Sequence, residues 1–101
     1  MGISLASRIV WQSNKTVVLE DRASSEHDQF DKQFSRFGQS WLGAEWLLSR
    51  SADKIGVSKE MGGVVYHLAV RAGCTSGKTP NIAFVYTFDE HEVVVHAINA
   101  W

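Results

Sequence analysis

The side chains able to do chemistry are few. Most fall in the C-terminal half: His67, Arg71, Cys74, Lys78, Tyr86, His91 and His96, with His27 further upstream. An imidazole changes charge near neutral pH, so it can take or give a proton. His67 and Arg71 are four residues apart in an alternating segment, where every second side chain shares a face. If His96 of the last predicted strand points the same way, the three make one polar spot, and one of the histidines can act as general acid or base. The plainer alternative is a strand histidine satisfied at the surface. No two histidines have the helical spacing of a zinc site, and the single cysteine lies in a predicted loop. Neither a metal nor a cofactor is expected.

Gly73-Cys74-Thr75-Ser76-Gly77-Lys78-Thr79 is close to a phosphate-binding loop, in which backbone amides cradle phosphates and a lysine reaches the terminal oxygens. Only three residues separate these glycines, where the motif needs four. Pro80 and a strand follow, where it needs a helix. The segment therefore reads as a hairpin loop in which Lys78 can meet an anion. Cys74 has no histidine and carboxylate fixed near it by spacing, and is not expected to act as a nucleophile. Glu45 sits among apolar neighbours and reads as an exposed edge residue of a helix.

Strands and helices must hold these groups. Ile3 to Gln12 and Thr16 to Glu20 are β-branched and apolar, with Ser13-Asn14-Lys15 as a turn, so they read as one strand or as a hairpin. Residues 1–15 look like an N-terminal extension strand on a single domain spanning 1–101. A helix is expected from a cap at Ser24 or Ser25, with Phe30, Phe34 and Phe37 on one face and Gly38 as its stop. Asp28 and Lys32 are spaced to pair on its outer surface. Ser40 would cap a second helix, Trp41 to Arg50, with Trp41, Ala44, Leu47 and Leu48 on one face. Ser51 to Lys59 reads as a polar connection. Alternating strands follow: Val64 to Arg71, Ile82 to Phe88, and Glu92 to Ala100 after a tight Asp89-Glu90-His91 turn. The last strand is apolar on both faces, which places it centrally in the sheet. Val93, Val95 and Ala97 are expected on one of its faces, Val94, His96 and Ile98 on the other. The order β(β)ααβββ, with helices segregated from an antiparallel meander, is α+β.

The chain has 101 residues, 45% of them hydrophobic, which is enough for one core. Eleven acidic and ten basic side chains leave a net charge of −1, which argues against binding nucleic acid through a large basic field. A single cysteine excludes an intrachain disulfide and fits a reducing cytoplasm. No signal-type or membrane-spanning run is visible, so no membrane association is expected.

The last three strands resemble the RelE/ParE superfamily of bacterial toxin–antitoxin toxins. The segments concerned are Tyr66-His67-Leu68-Ala69-Val70-Arg71, Phe84-Val85-Tyr86-Thr87-Phe88-Asp89-Glu90 and Val93-Val94-Val95-His96-Ala97-Ile98. They are similar to that family's tyrosine-to-arginine strand, its aromatic strand with an acidic turn, and its valine-rich last strand. With the helical hairpin the likeness runs over roughly 16–101. It implies a strand, two packed helices and a twisted antiparallel sheet. It also implies either metal-free cleavage of messenger RNA on the ribosome or inhibition of gyrase, and a small antitoxin partner covering the helices or the sheet. Arg71 matches the strand arginine and Tyr86 the aromatic of the next strand, whereas Ala83 stands where a second arginine is usual. Residual ribonuclease activity would fall to Arg71, His67, His96, Tyr86 and Lys78, presented on one sheet face. The competing reading is a non-enzymatic interaction module, homodimeric through the terminal strand or a helical face, because four tryptophans in a small domain suggest buried contacts. A third is a small-ligand pocket lined by Phe and Trp between helices and sheet.

Overall fold

The computed structural model describes residues 14–101; the strand expected over Ile3 to Gln12 lies outside the described residues. Seven elements follow one another: β1 (Thr16–Leu19), α1 (Asp21–Gln33), α2 (Phe37–Ser51), β2 (Val57–Met61), β3 (Val64–Arg71), β4 (Ile82–Phe88) and β5 (Glu92–Ala100). They make an α+β fold of two helices on a five-stranded sheet of order β1-β5-β4-β3-β2. The sheet is mixed, not wholly antiparallel as expected: β1 lies parallel to β5, with Thr16 opposite Glu92 and Leu19 opposite Val95. As the apolar run of β5 implied, that strand is central, paired on both sides.

Both helices depart from their expected boundaries. α1 starts at Asp21, four residues earlier than a Ser24 cap would put it, directly after β1. It stops at Phe34, which turns to extended backbone (φ −116°, ψ 119°). Phe30, Phe34 and Phe37 have helical spacing but straddle this break. Phe30 packs against both of the others, with ring centroids 6.3 and 6.0 Å apart. Burial of an aromatic cluster thus overrides the periodicity that suggested one continuous stripe. Phe37 begins α2, so Gly38 and Ser40 lie inside that helix. Ser40 Oγ donates instead to the Pro80 carbonyl at 3.3 Å, tying α2 to the start of β4.

α2 buries Phe37, Trp41, Ala44 and Leu48, a helical stripe that faces the sheet. Trp41 meets Phe84 edge-on at 5.9 Å. Across the stripe lie Ala69 of β3, Ile82, Phe84 and Tyr86 of β4, and Val93, Val95, Ile98 and Ala100 of β5. Each fully buried large side chain contributes about 1.5–3 kcal/mol through removal from water.

The segment read as a polar connection contains an extra strand. Val57–Met61 forms β2, joined to β3 by Gly62-Gly63. Both glycines have positive φ, 59° and 81°, the backbone that a two-residue hairpin requires and that side chains resist. All five residues of β2 are exposed, so polarity hid a strand that pairs on one edge only. The Asp89-Glu90-His91 turn is as expected. Asp89 accepts the backbone N–H groups of His91 (2.7 Å) and Glu92 (2.9 Å), which together hold its carboxyl below the usual range.

Tyr86 is wholly buried, and its phenol donates to the Ala52 carbonyl at 2.7 Å, joining β4 to the end of α2. Burial, and then the charge of Asp53, push it up to about 12. A group whose folded value lies above its unfolded value stabilises fully below the unfolded one, near pH 10, and that contribution disappears as pH rises through the folded value. Stability measured by urea unfolding should therefore fall between about pH 10 and 12. Tyr86→Phe should remove that dependence and cost about 1–3 kcal/mol at pH 7, because the Ala52 carbonyl loses its donor.

Candidate functional site on the open sheet face

The sheet has one covered and one open face, and cross-strand register assigns each candidate residue to one of them. His67 pairs with Tyr86 and Arg71 with Ile82, so all three expected site residues of β3 and β4 share the helix-covered face with the core. Tyr86 is sealed in the core. His67 stacks on it at 5.4 Å and lies 4.8 Å from Phe88, half-buried. The Arg71 guanidinium lies across α2 at Gly43, where a Cβ would come within 2.6 Å of Nη2. Lys78 is exposed in the β3–β4 loop, with φ 58°. That loop is closed by a bridge between Cys74 and Thr79, and Cys74 is exposed with its thiol lowered by the Ser76 hydroxyl and by the Gly77 amide. His96 alone stands on the open face. The expectation that one face would gather Arg71, His67, His96, Tyr86 and Lys78 is thus corrected by register: the first, second and fourth face α2, and the fifth is on a loop.

His96 sits at an irregularity in β5. Opposite Val85 stands Ala97, but opposite Tyr86 stands Val95, so His96 is an extra residue without a partner on β4. Such a bulge shifts alternation by one. Val93 and Val95 face the helices before it, and Ile98 and Ala100 face them after it. Strict alternation had put Ile98 with His96 and Ala97 with Val95; the bulge reverses both placements. The bulged imidazole has partners at both nitrogens. Nε2 lies 2.9 Å from Thr87 Oγ1 on β4, and Nδ1 is hydrogen-bonded to the Glu20 carboxylate. Tyr66 of β3 stands edge-on to the ring at 5.4 Å.

Glu20 occupies the N-cap position of α1 but makes no side-chain cap bond, because its carboxylate is committed to His96. β1 pairs only with Glu92 to Val95; further along β5, α1 takes its place, and the Glu26 carboxylate accepts the Ile98 N–H at 2.9 Å. Two acids six residues apart in sequence thereby dock one helix onto one strand. α1 also forms a wall beside the open face. Arg22, Glu26 and Gln29 flank a cleft of about 430 Å³ floored by Leu68, Val85 and Ala97. The neighbouring surface is apolar and exposed: Val57 (76%), Val70 (63%), Met61, Val64 and Leu68. Among the described residues no three His, Cys, Asp or Glu side chains converge as a metal site requires.

Glu20, Tyr66 and Thr87 were not singled out from sequence. One signal was available: polar Asn99 lies between Ile98 and Ala100, so a strand burying these two after Val93 and Val95 must slip by one between them. Glu20 could not be found that way, since it reaches His96 only through the parallel β1–β5 pairing. No family model matches the chain, and neither the curated proteins nor the solved structures provide a match. The separation of the two faces has a direct readout. In side-chain NMR, Arg71→Ala should leave the His96 imidazole resonances in place, and Glu20→Gln should move them.

Proposed function

We propose that this chain is a RelE/ParE-like toxin, or a catalytically degenerate descendant of one, working through the open face of its sheet and held silent by a small antitoxin-type protein bound there. The observation that carries this reading is the open face itself. An apolar surface of Val57, Met61, Val64, Leu68 and Val70 adjoins the Glu20–His96–Thr87 cluster, while the helices pack on the opposite face. Contiguous exposed apolar surface of this kind marks a protein-binding site. The element order supports the same reading: a strand, two helices, then an antiparallel run.

Within this reading, metal-free cleavage of RNA falls to His96 as the acid or base, acting through the Thr87 hydroxyl bonded to its Nε2. Among the described residues, the cations on this side include Lys59, the cross-strand partner of Tyr66, and Arg22 on the α1 wall. Arg71 serves the α2 contact and not the open face. Binding of a protein target or a neutralising partner therefore ranks above ribosome-bound cleavage.

A second reading, a homodimeric interaction module, draws on a different surface. Leu42 (65% exposed) and Trp46 (58%) project from the outer side of α2, and Arg50 lies 4.8 Å over the Trp46 ring. Trp101 is also exposed, next to backbone paired with Asn81.

Induced expression of the chain alone in a bacterial host separates the two. The toxin reading expects growth arrest that His96→Ala relieves and Arg71→Ala does not. Unimpaired growth with abundant soluble protein sinks it. Sedimentation of a dimer that Trp46→Ala converts to monomer would then support the module.

A further inference from the structure

We infer that Glu20, His96 and Thr87 form a nucleophilic relay in which Thr87 accepts the acyl group of short apolar carboxylic esters. This goes beyond the toxin reading and does not depend on it.

The hydrogen-bond inventory fixes the direction of the relay. An ionised carboxylate only accepts, so the bond to Glu20 places a proton on His96 Nδ1. When the ring is neutral its lone pair is on Nε2, and the Thr87 hydroxyl, 2.9 Å away, is the group that can donate to it. Both ring nitrogens are occupied. His96 therefore reaches a substrate through Thr87, whose Oγ1 is the atom its basicity activates. A nucleophile bonded to a base that is itself oriented by a carboxylate is the arrangement that makes an alcohol reactive, and it is recognised by geometry and not by chain order. The bulge leaves His96 here without a cross-strand partner on β4.

The substrate class follows from the surroundings. Tyr66, edge-on to His96, borders a trough of about 350 Å³ lined by Val57, Lys59, Met61, Leu68 and Val85. Ser58 and His67 line it as well as Lys59, but its exposed wall is mostly apolar, which suits a short acyl chain. Lys59 and Tyr66 are cross-strand partners on this face, and in the relay they would supply the positive charge and the donor that a developing oxyanion needs. Thr87 Oγ1 forms a bond to the ester carbonyl carbon as its proton passes to His96 Nε2. The intermediate collapses by breaking the bond to the leaving oxygen, which takes that proton and departs as an alcohol. Water then attacks the acyl-threonine with His96 as base, the bond to Thr87 breaks, and the hydroxyl and a carboxylic acid are regenerated. Glu20 is a positioning residue that acts through His96.

A fluorophosphonate with a short alkyl chain tests this on the full chain, read by intact mass and peptide mapping. Thr87 Oγ1 bonds to phosphorus and fluoride leaves. One adduct is expected, on Thr87. Thr87→Ser should keep it and Thr87→Val should lose it. His96→Gln should slow labelling by about 100-fold. Glu20→Gln should slow it too, with Glu20→Asp restoring part of the rate, while circular dichroism of each variant stays native. Absence of an adduct at Thr87, or equal labelling of wild type and His96→Gln, overturns the relay. Growth arrest with no adduct would leave the toxin reading standing without it.

Discussion

An extra residue in a central strand is a small disturbance with wide reach. β5 must pair with β1 and β4 while presenting Val93, Val95, Ile98 and Ala100 to the helices, and two-residue alternation cannot do this across an odd spacing. The bulge at His96 absorbs the odd residue. It keeps the apolar row on the covered side, and it leaves His96 without a partner on β4, beside Glu20 and Thr87. Beyond the bulge, β1 no longer lies beside β5, and the outward Ile98 N–H needs a partner. Glu26 provides one, and α1 is aligned along the strand as a result. The core, the placement of α1 and the candidate site thus share one origin.

The covered face holds its polar groups differently. Tyr86 and Ser40 are both buried, and each spends its hydroxyl on a backbone carbonyl, at Ala52 and Pro80. A buried hydroxyl that is satisfied costs little; one left without a partner costs several times the net value of the bond. These two bonds fasten α2 at both ends, one near its start and one just past its finish. Arg71 adds a third contact at Gly43, in the middle of the helix, where only the missing side chain leaves room for the guanidinium.

Much of the frame was legible in the sequence. The α+β class, the central place of β5, the β3 and β4 spans and the Asp89 turn all follow from alternation and turn chemistry, which are local signals. Misread features were those settled by tertiary packing. The Phe30, Phe34 and Phe37 stripe suggested one helix because helical spacing cannot reveal a break that brings the same three rings together. β2 was hidden because an edge strand with Ser58, Lys59 and Glu60 need not carry an apolar row. The site was legible only in part: His96 was named, but its partners come from strands whose pairing and register the residues themselves do not announce. His67, Arg71 and Tyr86 had suitable chemistry and the wrong side of the sheet.

The route of the chain through the sheet bears on the order in which the site comes into being. Hairpins β2–β3, β3–β4 and β4–β5 join neighbours in sequence, so their closure involves short loops. The β1–β5 pair and the Glu20–His96 bond, 76 residues apart, close the longest circuit among the described residues. Closure of such a circuit loses the most chain entropy before any contact offsets it. During synthesis β1 is made before the helices and must wait for β5 to emerge. A nascent or partly folded chain therefore carries the meander and its apolar surface before it carries an oriented imidazole. The geometry at His96 is a late product of folding, present only once the two ends of the sheet have met.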